Sequence, residues 1–145
     1  GYELVTVGDS PSGWHEMVTS MTIAALEAPG AQIGSLVTSP FMRHPLIAAN
    51  AFATLDELTG GRAVLGFATG GSTVLAIGRP PATQAEVRAE IAALRQLFAG
   101  EEFEWEGRTV KSLRFARNVP IYYSAFGPKA LALAAQVADG AILFA

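Results

Sequence analysis

The segment from Pro120 to Lys129 contains the strongest candidate for ligand-binding chemistry in the sequence. An apolar run, residues 121–124, leads directly into Gly127-Pro128 at the start of a predicted helix. Proline suits the first helical position because an amide hydrogen there has no partner within the helix. A helix N-terminus carries partial positive charge, and Lys129 adds a full charge, so the segment predicts a phosphate or carboxylate site. An ordinary strand-to-helix corner is the alternative interpretation.

Two other loops follow apolar runs and carry candidate site residues. Leu4–Val7 ends just before Asp9, so a strand delivers an acidic side chain to a loop. Asp9 could instead cap the turn that follows it. Ala63–Phe67 opens into residues 68–73, where small side chains let a flat or charged ligand approach the backbone. The spacing matches neither a dinucleotide fingerprint nor a P-loop.

Three conspicuous side chains, His44, Arg43 and Trp105, have structural as well as chemical interpretations. His44 precedes a helix-starting proline, and the interpretation as a cap or backbone partner is favoured over a catalytic role. Arg43 could bind an anion, or be solvated or paired with Asp56 or Glu57. Trp105 is interpreted as a packing anchor. No catalytic residue is assigned.

These loops are connected by strands and helices that alternate along the chain. Strands are predicted over residues 4–7, 31–38, 63–67, 121–124 and 141–144, and helices over residues 16–26, 45–59, 83–98 and 128–137. The second helix is expected to bury Ile47, Ala51, Leu55 and Leu58. The third has a capping box at Thr83 and Glu86, and Val87, Ile91, Leu94 and Phe98 recur at helical spacing. Residues 101–117 predict an inserted hairpin, whose return strand could span residues 109–115.

This alternation predicts an α/β fold with a parallel sheet and right-handed crossovers. The preferred architecture is a partial (β/α)8 barrel with about five strands, and the alternative is an open, doubly wound sheet. In both, ligands bind at the carboxyl ends of the strands. That edge is expected to gather Asp9, Thr38, residues 69–71 and residues 124–129.

Composition limits the classes of function. The chain has 145 residues, of which 50% are hydrophobic and 16% charged, as in a globular domain. The net charge of -3 gives no basic footprint for nucleic acid. Cysteine is absent and there are two histidines, so neither a disulfide nor a metal site is expected. With no apolar run long enough to span a membrane and no basic signal-peptide start, the cytoplasm is the expected location.

Four motifs follow one another along the chain: residues 7–10 (VGDS), 37–45 (VTSPFMRHP), 53–62 (ATLDELTGGR) and 124–129 (SAFGPK). Together they resemble the luciferase-like family of flavin- or deazaflavin-dependent oxidoreductases, especially its methylenetetrahydromethanopterin reductase-like branch. The motif over residues 53–62 is the most specific, although its own role is predicted to be helix and turn. The resemblance implies that this chain supplies the second to sixth strands of a longer barrel.

The resemblance also implies a cofactor and a reaction. The expected cofactor is the deazaflavin coenzyme F420, with FMN as the alternative, and the expected reaction is hydride transfer to or from a small organic substrate. FMN-dependent monooxygenation and an incomplete, non-catalytic phosphate-binding module are the alternative functions. Relatives that act on sugar phosphates have a His at Ser10 and a Glu at Gly71, so sugar phosphate is not expected. A homo-oligomer is expected for the full-length protein.

Site residues are carried over from the family motifs one by one. The resemblance implies cofactor contacts from Asp9, Leu36, Val37, Thr38, Thr69, Gly70, Ala125, Phe126, Gly127, Pro128 and Lys129. It further implies a non-proline cis peptide bond at Leu36-Val37, forming a bulge that backs the cofactor ring. Local propensity alone predicts an ordinary trans bond there.

Overall fold

Five parallel strands, five helices and a two-stranded hairpin make up the part of the chain that the structure, a computed structural model, describes: residues 1–143. In chain order the elements are β1 Leu4–Val7, α1 Met17–Glu27, β2 Gln32–Ser35, α2 Pro45–Thr59, β3 Ala63–Phe67, α3 Ser72–Ala76, α4 Gln84–Phe98, β4 Phe103–Trp105, β5 Arg108–Val110, β6 Ile121–Ser124, α5 Pro128–Val137 and β7 Gly140–Ile142.

The strands of the main sheet stand in the order β1-β2-β3-β6-β7, and every neighbouring pair is parallel. This order follows the chain and never reverses. A doubly wound sheet contains a point where the order reverses, whereas a barrel adds each strand beside the last. The predicted α/β class is confirmed, and the order is that of a barrel segment. The last strand was predicted over residues 141–144; it is Gly140–Ile142, and Phe144 lies outside the described residues.

Helix α4 forms as its sequence pattern predicts. The Thr83 hydroxyl accepts a hydrogen bond from the Glu86 amide at 3.2 Å, and the Glu86 carboxylate accepts one from the Thr83 amide at 2.7 Å. This reciprocal box satisfies two amides that have no partner within the helix. The predicted apolar face is confirmed, since all four of its residues are buried: Val87, Ile91, Leu94 and Phe98.

Helix α2 buries only Leu55 of the four residues predicted to lie on its apolar face, and Ala51 is half-buried. Ile47 and Leu58 are 59% and 48% exposed, so their assignment to the core was wrong. The buried face consists mainly of small residues around one ring: Ala48, Ala49, Phe52, Ala53 and Leu55. Alanines let the helix axis approach the neighbouring layer closely, and Phe52 then supplies the apolar bulk that fills the core.

The core lies between the sheet and the helices. Alternate strand residues belong to one buried cluster with the helix side chains: Ile33, Leu65, Phe67, Ile121 and Tyr123. Val64, Gly66 and Tyr122, which alternate with them, are outside that cluster and face the opposite side of the sheet. The sheet therefore presents one face to the helices, as strands covered by crossover helices do.

The inserted hairpin is confirmed, with a shorter return strand than predicted. Its second strand is Arg108–Val110 instead of residues 109–115, and the turn lies at Glu106 and Gly107, both with positive φ. Trp105 packs against Phe103 and His44, with ring centroids 5.9 and 6.2 Å apart, as expected for a packing anchor. Helix α3 was not predicted from the sequence.

The segment over residues 53–62 forms helix and turn, as predicted. The Asp56 carboxylate accepts a hydrogen bond from the Ala63 amide at 3.2 Å, which ties the end of α2 to the start of β3. Gly60 has φ 67°, a left-handed conformation that glycine adopts without a steric penalty. The segment thus fixes the α2-β3 corner.

Candidate functional site

A pocket of about 470 Å³, called the rim pocket below, lies at the carboxyl ends of β1, β2, β3 and β6. Loops that are distant in sequence converge there, as predicted. Its lining consists of Gly8, Asp9, Ser10, Leu36, Val37, Ala68, Thr69, Gly70, Gly71, Ser72, Thr73, Ser124 and Phe126. This volume is within the usual range for small-molecule sites.

The structure brings together six of the eleven predicted site residues in this lining: Asp9, Leu36, Val37, Thr69, Gly70 and Phe126. Thr38 lies behind the wall, buried against Asp9. Ala125 is a core residue that is 2% exposed, and its amide bonds to the Ile142 carbonyl. The other three, Gly127, Pro128 and Lys129, form the start of α5 and are not part of the lining.

Asp9 is buried and held from two sides. One carboxylate oxygen accepts hydrogen bonds from the Thr38 hydroxyl at 2.6 Å and from the Arg43 guanidinium at 2.5 Å. The alternative that Asp9 caps the following turn is wrong, because the Ser10 carbonyl closes that turn with the amides of Gly13 and Trp14. The Asp9 side chain therefore has a fixed position in the rim pocket wall.

Arg43 connects two loops, a role that sequence reasoning missed. Its proposed pairing with Asp56 or Glu57 is wrong, because its guanidinium bonds to Asp9 and, at 2.8 Å, to Glu16. Asp9 and Glu16 follow β1, which pairs in parallel with β2, so both carboxylates lie beside the 37–45 loop. Asp56 lies towards the other end of α2, where it accepts a hydrogen bond from the Ala63 amide. The signal available in the sequence was this convergence of loops at the carboxyl ends of neighbouring strands.

Electrostatics reinforce the Arg43 contacts. Burial of the guanidinium lowers the pKa of Arg43, but hydrogen bonds and charge attraction from Asp9 and Glu16 outweigh this effect and raise it. Burial likewise raises the pKa of Glu16, but hydrogen bonds from the first turn of α1 and from Arg43 lower it to about 2. The Glu16 carboxylate also caps α1 by accepting from the Thr19 amide at 2.7 Å. Both groups are charged at neutral pH.

A bulge interrupts the pairing of β2 with β3 beside the rim pocket. The peptide bond Leu36-Val37 is cis, which confirms the prediction from the family resemblance. The Ser35 hydroxyl replaces the missing ladder contacts, accepting from the Gly66 amide at 3.0 Å and donating to the Gly66 carbonyl at 2.8 Å. Pairing resumes at Thr38, whose amide donates to the same carbonyl at 2.9 Å. Val37 lines the rim pocket with Asp9 and Thr69, as predicted, whereas Gly127, the third residue expected there, is outside the lining.

The start of α5 has the features of an open helix N-terminus. Gly127 is the N-cap residue and offers no side-chain cap, and Pro128 occupies the first helical turn. A Cβ added at Gly127 meets no atom within 4 Å, so the space beside this backbone is open. Lys129 is exposed in the first turn. Together these features fit the anion site expected from the sequence.

A second pocket, of about 480 Å³, lies between the 40–45 loop, the first turns of α4 and the tip of the hairpin; it is called the outer pocket below. His44 borders it and acts as a cap, as predicted, because its Nδ1 accepts from the Leu46 amide at 3.1 Å. Glu90 also borders it and is 4% exposed. Sequence reasoning missed Glu90, although its helical spacing from Val87 and Leu94 places it on the apolar face of α4.

Residues 1–143 contain neither a metal-binding cluster nor a membrane-spanning helix. No three His, Asp or Glu side chains in this range form a group that could hold a metal ion. None of the helices in the same range is both long and apolar enough to cross a membrane.

Comparison with known proteins gives consistent matches. Residues 1–145 match the model of a family described as luciferase-like monooxygenase. The chain is 34% identical to a 5,10-methylenetetrahydromethanopterin reductase of Methanolobus tindarius, over 99% of this chain and 46% of that protein. It is 33% identical to an F420-dependent glucose-6-phosphate dehydrogenase of Nakamurella multipartita, over 98% of this chain and 48% of that protein.

A solved structure agrees with these matches. An F420-dependent secondary alcohol dehydrogenase, in complex with an F420-acetone adduct, superposes with a TM-score of 0.83 at 25% identity, over 97% of this chain and 49% of that one. The chain spans about half the length of the curated relatives it matches.

Proposed function

Because the chain belongs to the luciferase-like monooxygenase family, we propose that its rim pocket binds the deazaflavin ring of coenzyme F420 within an oxidoreductase. The observation that carries this proposal is the rim pocket itself, whose wall combines the Val37 bulge, the fixed Asp9 carboxylate and a loop of small side chains. The curated relative from Nakamurella multipartita and the solved secondary alcohol dehydrogenase both name F420 as their coenzyme. We further propose that residues 1–145 are a segment of a longer barrel domain.

The residues of the rim pocket fit a flat, polar ring. Residues 68–73 contribute only small side chains, and a Cβ added at Gly71 meets no atom within 4 Å, so a ring can approach this backbone. Val37 supplies an apolar surface on the wall, and Asp9 supplies a hydrogen-bond acceptor in the same wall. This set of groups binds and orients a ring and needs no acid or base of unusual pKa.

Hydride chemistry is supplied by the coenzyme when it is bound. The chain's own residues orient the ring and exclude water from one of its faces. Thr38 and Arg43 hold the Asp9 carboxylate in one position, so Asp9 can accept a hydrogen bond from the ring edge without reorganisation. Thr69 lies in the loop beside it. The amides at the start of α5 and the Lys129 side chain would hold the coenzyme's phosphate.

The substrate is proposed to be a small organic molecule other than a sugar phosphate. Ser10 and Gly71 stand where the sugar-phosphate-dependent relatives are expected to have His and Glu, and both residues line the rim pocket. Neither can supply a charge to a phosphorylated sugar. A spectroscopic assay that follows F420 oxidation state with glucose 6-phosphate should therefore show no turnover, and turnover would contradict this part of the proposal.

Titration with coenzyme tests the cofactor assignment. The full-length protein is titrated with F420 and with FMN, and their distinct absorbance spectra report binding. We expect F420 to bind more tightly. Preference for FMN would support the monooxygenase alternative, and binding of neither would support a non-catalytic module.

Lys129 provides a matched test of the phosphate region. Replacing Lys129 by Ala removes one charge-assisted hydrogen bond to phosphate, which contributes roughly 1 to 2 kcal/mol, so the dissociation constant for F420 should rise about 5- to 30-fold. Lys111→Ala is the control, because Lys111 is exposed and pairs with Glu102 in the hairpin region. Equal affinity in wild type and Lys129→Ala would remove the phosphate role.

Assembly and location are also proposals. Ile23 and Leu26 on α1 and Ile47 and Leu58 on α2 are 48 to 63% exposed, an apolar surface that would suit a second copy of the protein. We expect light scattering of the full-length protein to give the mass of a homo-oligomer, and a monomer mass would contradict this. A cytoplasmic location is proposed as well, and cell fractionation tests it.

A further inference from the structure

The outer pocket is separate from the proposed coenzyme site. It shares no lining residue with the rim pocket, and four separate segments of the chain form it. Its walls contain two aromatic rings and two prolines: Phe41, Trp105, Pro40 and Pro45. Its volume of about 480 Å³ is comparable to that of the rim pocket. Nothing in the proposed hydride transfer uses it.

Glu90 is the unusual group in this pocket. Glu90 lies on α4, is 4% exposed, and lines the wall of the outer pocket. No described residue forms a hydrogen bond or an ion pair with its carboxyl. Burial of a carboxylate without a partner is unfavourable, so such groups normally acquire a hydrogen-bond donor or a counter-charge. Here a hydrogen-bond donor or a counter-charge can reach the Glu90 carboxylate from the open pocket.

The other ionisable groups at the outer pocket are exposed or already bonded to other residues. Arg43 is paired with Asp9 and Glu16, and Glu86 is occupied by the capping box of Thr83. His44 caps α2 through Nδ1.

Two more charged side chains complete the lining. The Arg79 guanidinium lies 3.8 Å from the centroid of the Phe41 ring, and Glu106 is exposed at the hairpin turn. The Arg79 contact shows that the pocket walls accept a guanidinium against an aromatic ring. Counting side chains, the lining contains three carboxyl groups (Glu86, Glu90 and Glu106) and two guanidinium groups.

We propose that the outer pocket binds a small organic cation with a flat amidinium or guanidinium head, held by the Glu90 carboxylate beside the Trp105 ring. Such a head places two parallel N–H donors against two carboxylate oxygens, so it supplies both the hydrogen bonds and the counter-charge that Glu90 lacks. Its planar face suits the aromatic wall. This site is additional to the proposed coenzyme site and does not depend on it.

Binding of this cation should depend on pH. Burial raises the pKa of Glu90 to about 7. A cation binds the ionised carboxylate, which is roughly a tenth of the population at pH 6 and nine tenths at pH 8, so affinity should increase about ninefold across this interval. Among the facing groups, burial lowers the pKa of Arg43 but its contacts with Asp9 and Glu16 outweigh this and raise it, and hydrogen bonds with Thr83 lower the pKa of Glu86. His44, Arg79 and Glu106 line the same pocket.

Benzamidine is the probe, and isothermal titration of the full-length protein at pH 6 and pH 8 is the measurement. Wild type should bind more tightly at pH 8 by about ninefold. Glu90→Gln keeps the side-chain shape, so it should fold, but it should bind benzamidine at least tenfold more weakly at pH 8 and lose the pH dependence. Glu106→Gln, a change of an exposed carboxyl at the same pocket, is the control and should retain the pH dependence.

The outcomes separate this site from the coenzyme site. F420 affinity should be the same in wild type and Glu90→Gln, since the two pockets share no residue. Absence of benzamidine binding by wild type would overturn the proposal, as would equal binding by wild type and Glu90→Gln. Either result would leave the F420 titration as an independent measurement.

Discussion

At the scale of single residues, the position of Asp9 depends on Arg43. The Asp9 carboxylate is 5% exposed, and it bonds to a guanidinium that is itself mostly buried. Removing one partner of such a pair leaves an uncompensated charge, which costs more than the pair contributes. The rim pocket therefore depends on a residue outside its lining.

We predict that Arg43→Ala lowers the unfolding free energy by about 3 kcal/mol and weakens F420 binding. Urea unfolding and F420 titration measure the two effects. In Asp9→Asn/Arg43→Ala the buried charge is gone, so the double variant should be more stable than Arg43→Ala alone. If the double variant lost as much unfolding free energy as Asp9→Asn and Arg43→Ala lose together, Arg43 would not act through Asp9.

Glu90 gives a prediction for stability that is independent of any ligand. Its pKa is about 7 in the folded state against 4.5 in the unfolded chain. Between these values the folded state keeps a proton that the unfolded state loses, so the stabilising contribution is present below pH 4.5 and is lost as pH rises through 7. The loss amounts to about 3 kcal/mol.

Glu90→Gln removes this titration. We expect the wild type to become less stable than Glu90→Gln as pH rises from 5 to 8, with the difference between their unfolding free energies changing by about 3 kcal/mol over the interval. Urea unfolding of both proteins at several pH values measures it. A constant difference would show that the Glu90 carboxyl titrates alike in both states.

At the scale of elements, the bulge between β2 and β3 requires a glycine at position 66. A Cβ added there meets the Ser35 carbonyl oxygen too closely for both atoms to stay in place, and it approaches the Val37 side chain at 3.2 Å. The backbone around the bulge must shift to accept it. Because Val37 and Leu36 line the rim pocket, that shift reaches the proposed coenzyme site.

Gly66→Ala should therefore lower the unfolding free energy by about 3 kcal/mol and reduce F420 affinity. Gly30→Ala is the matched control, since a Cβ at Gly30 meets no atom within 4 Å and should leave both quantities unchanged. Thermal unfolding and F420 titration provide the measurements. If Gly66→Ala had the unfolding temperature and F420 affinity of the wild type, β2 and β3 could move apart without a loss of stability.

Most elements could be predicted from the sequence because each carried a local signal. The capping box and apolar spacing identified α4, and Gly127-Pro128 identified the start of α5. Helix α3 was missed because five residues hold too few turns to show periodicity. The buried face of α2 was assigned wrongly because alanines were given less weight than Ile47 and Leu58. Local patterns do not report which side chains the sheet lies against.

The candidate site was predictable to the extent that it follows from strand direction. Parallel strands bring their carboxyl ends to one edge, so the convergence of Asp9, Val37 and Thr69 could be anticipated. The partners of Arg43 and the burial of Glu90 could not, because both depend on side-chain placement across elements. The cis bond at Leu36-Val37 was anticipated from the family resemblance alone.

At the scale of the whole molecule, the sheet is a barrel segment whose functional edge is already assembled. Four strands and their loops form the rim pocket, and the chain spans about half of each relative it matches. The proposed division of roles follows from this arrangement: this segment supports one face of the coenzyme ring and its phosphate. In the longer barrel that we propose, the remaining strands would cover the substrate.

The most direct test of this account is an equilibrium titration of F420 into the full-length protein and a variant with a filled rim pocket. Thr69→Phe places a ring among the small side chains of residues 68–73, and Thr54→Phe places the same ring on an exposed position of α2, away from the pocket. The account predicts that wild type and Thr54→Phe bind F420 alike and that Thr69→Phe loses at least tenfold in affinity while unfolding at the same temperature. Equal F420 affinity in all three proteins would contradict it.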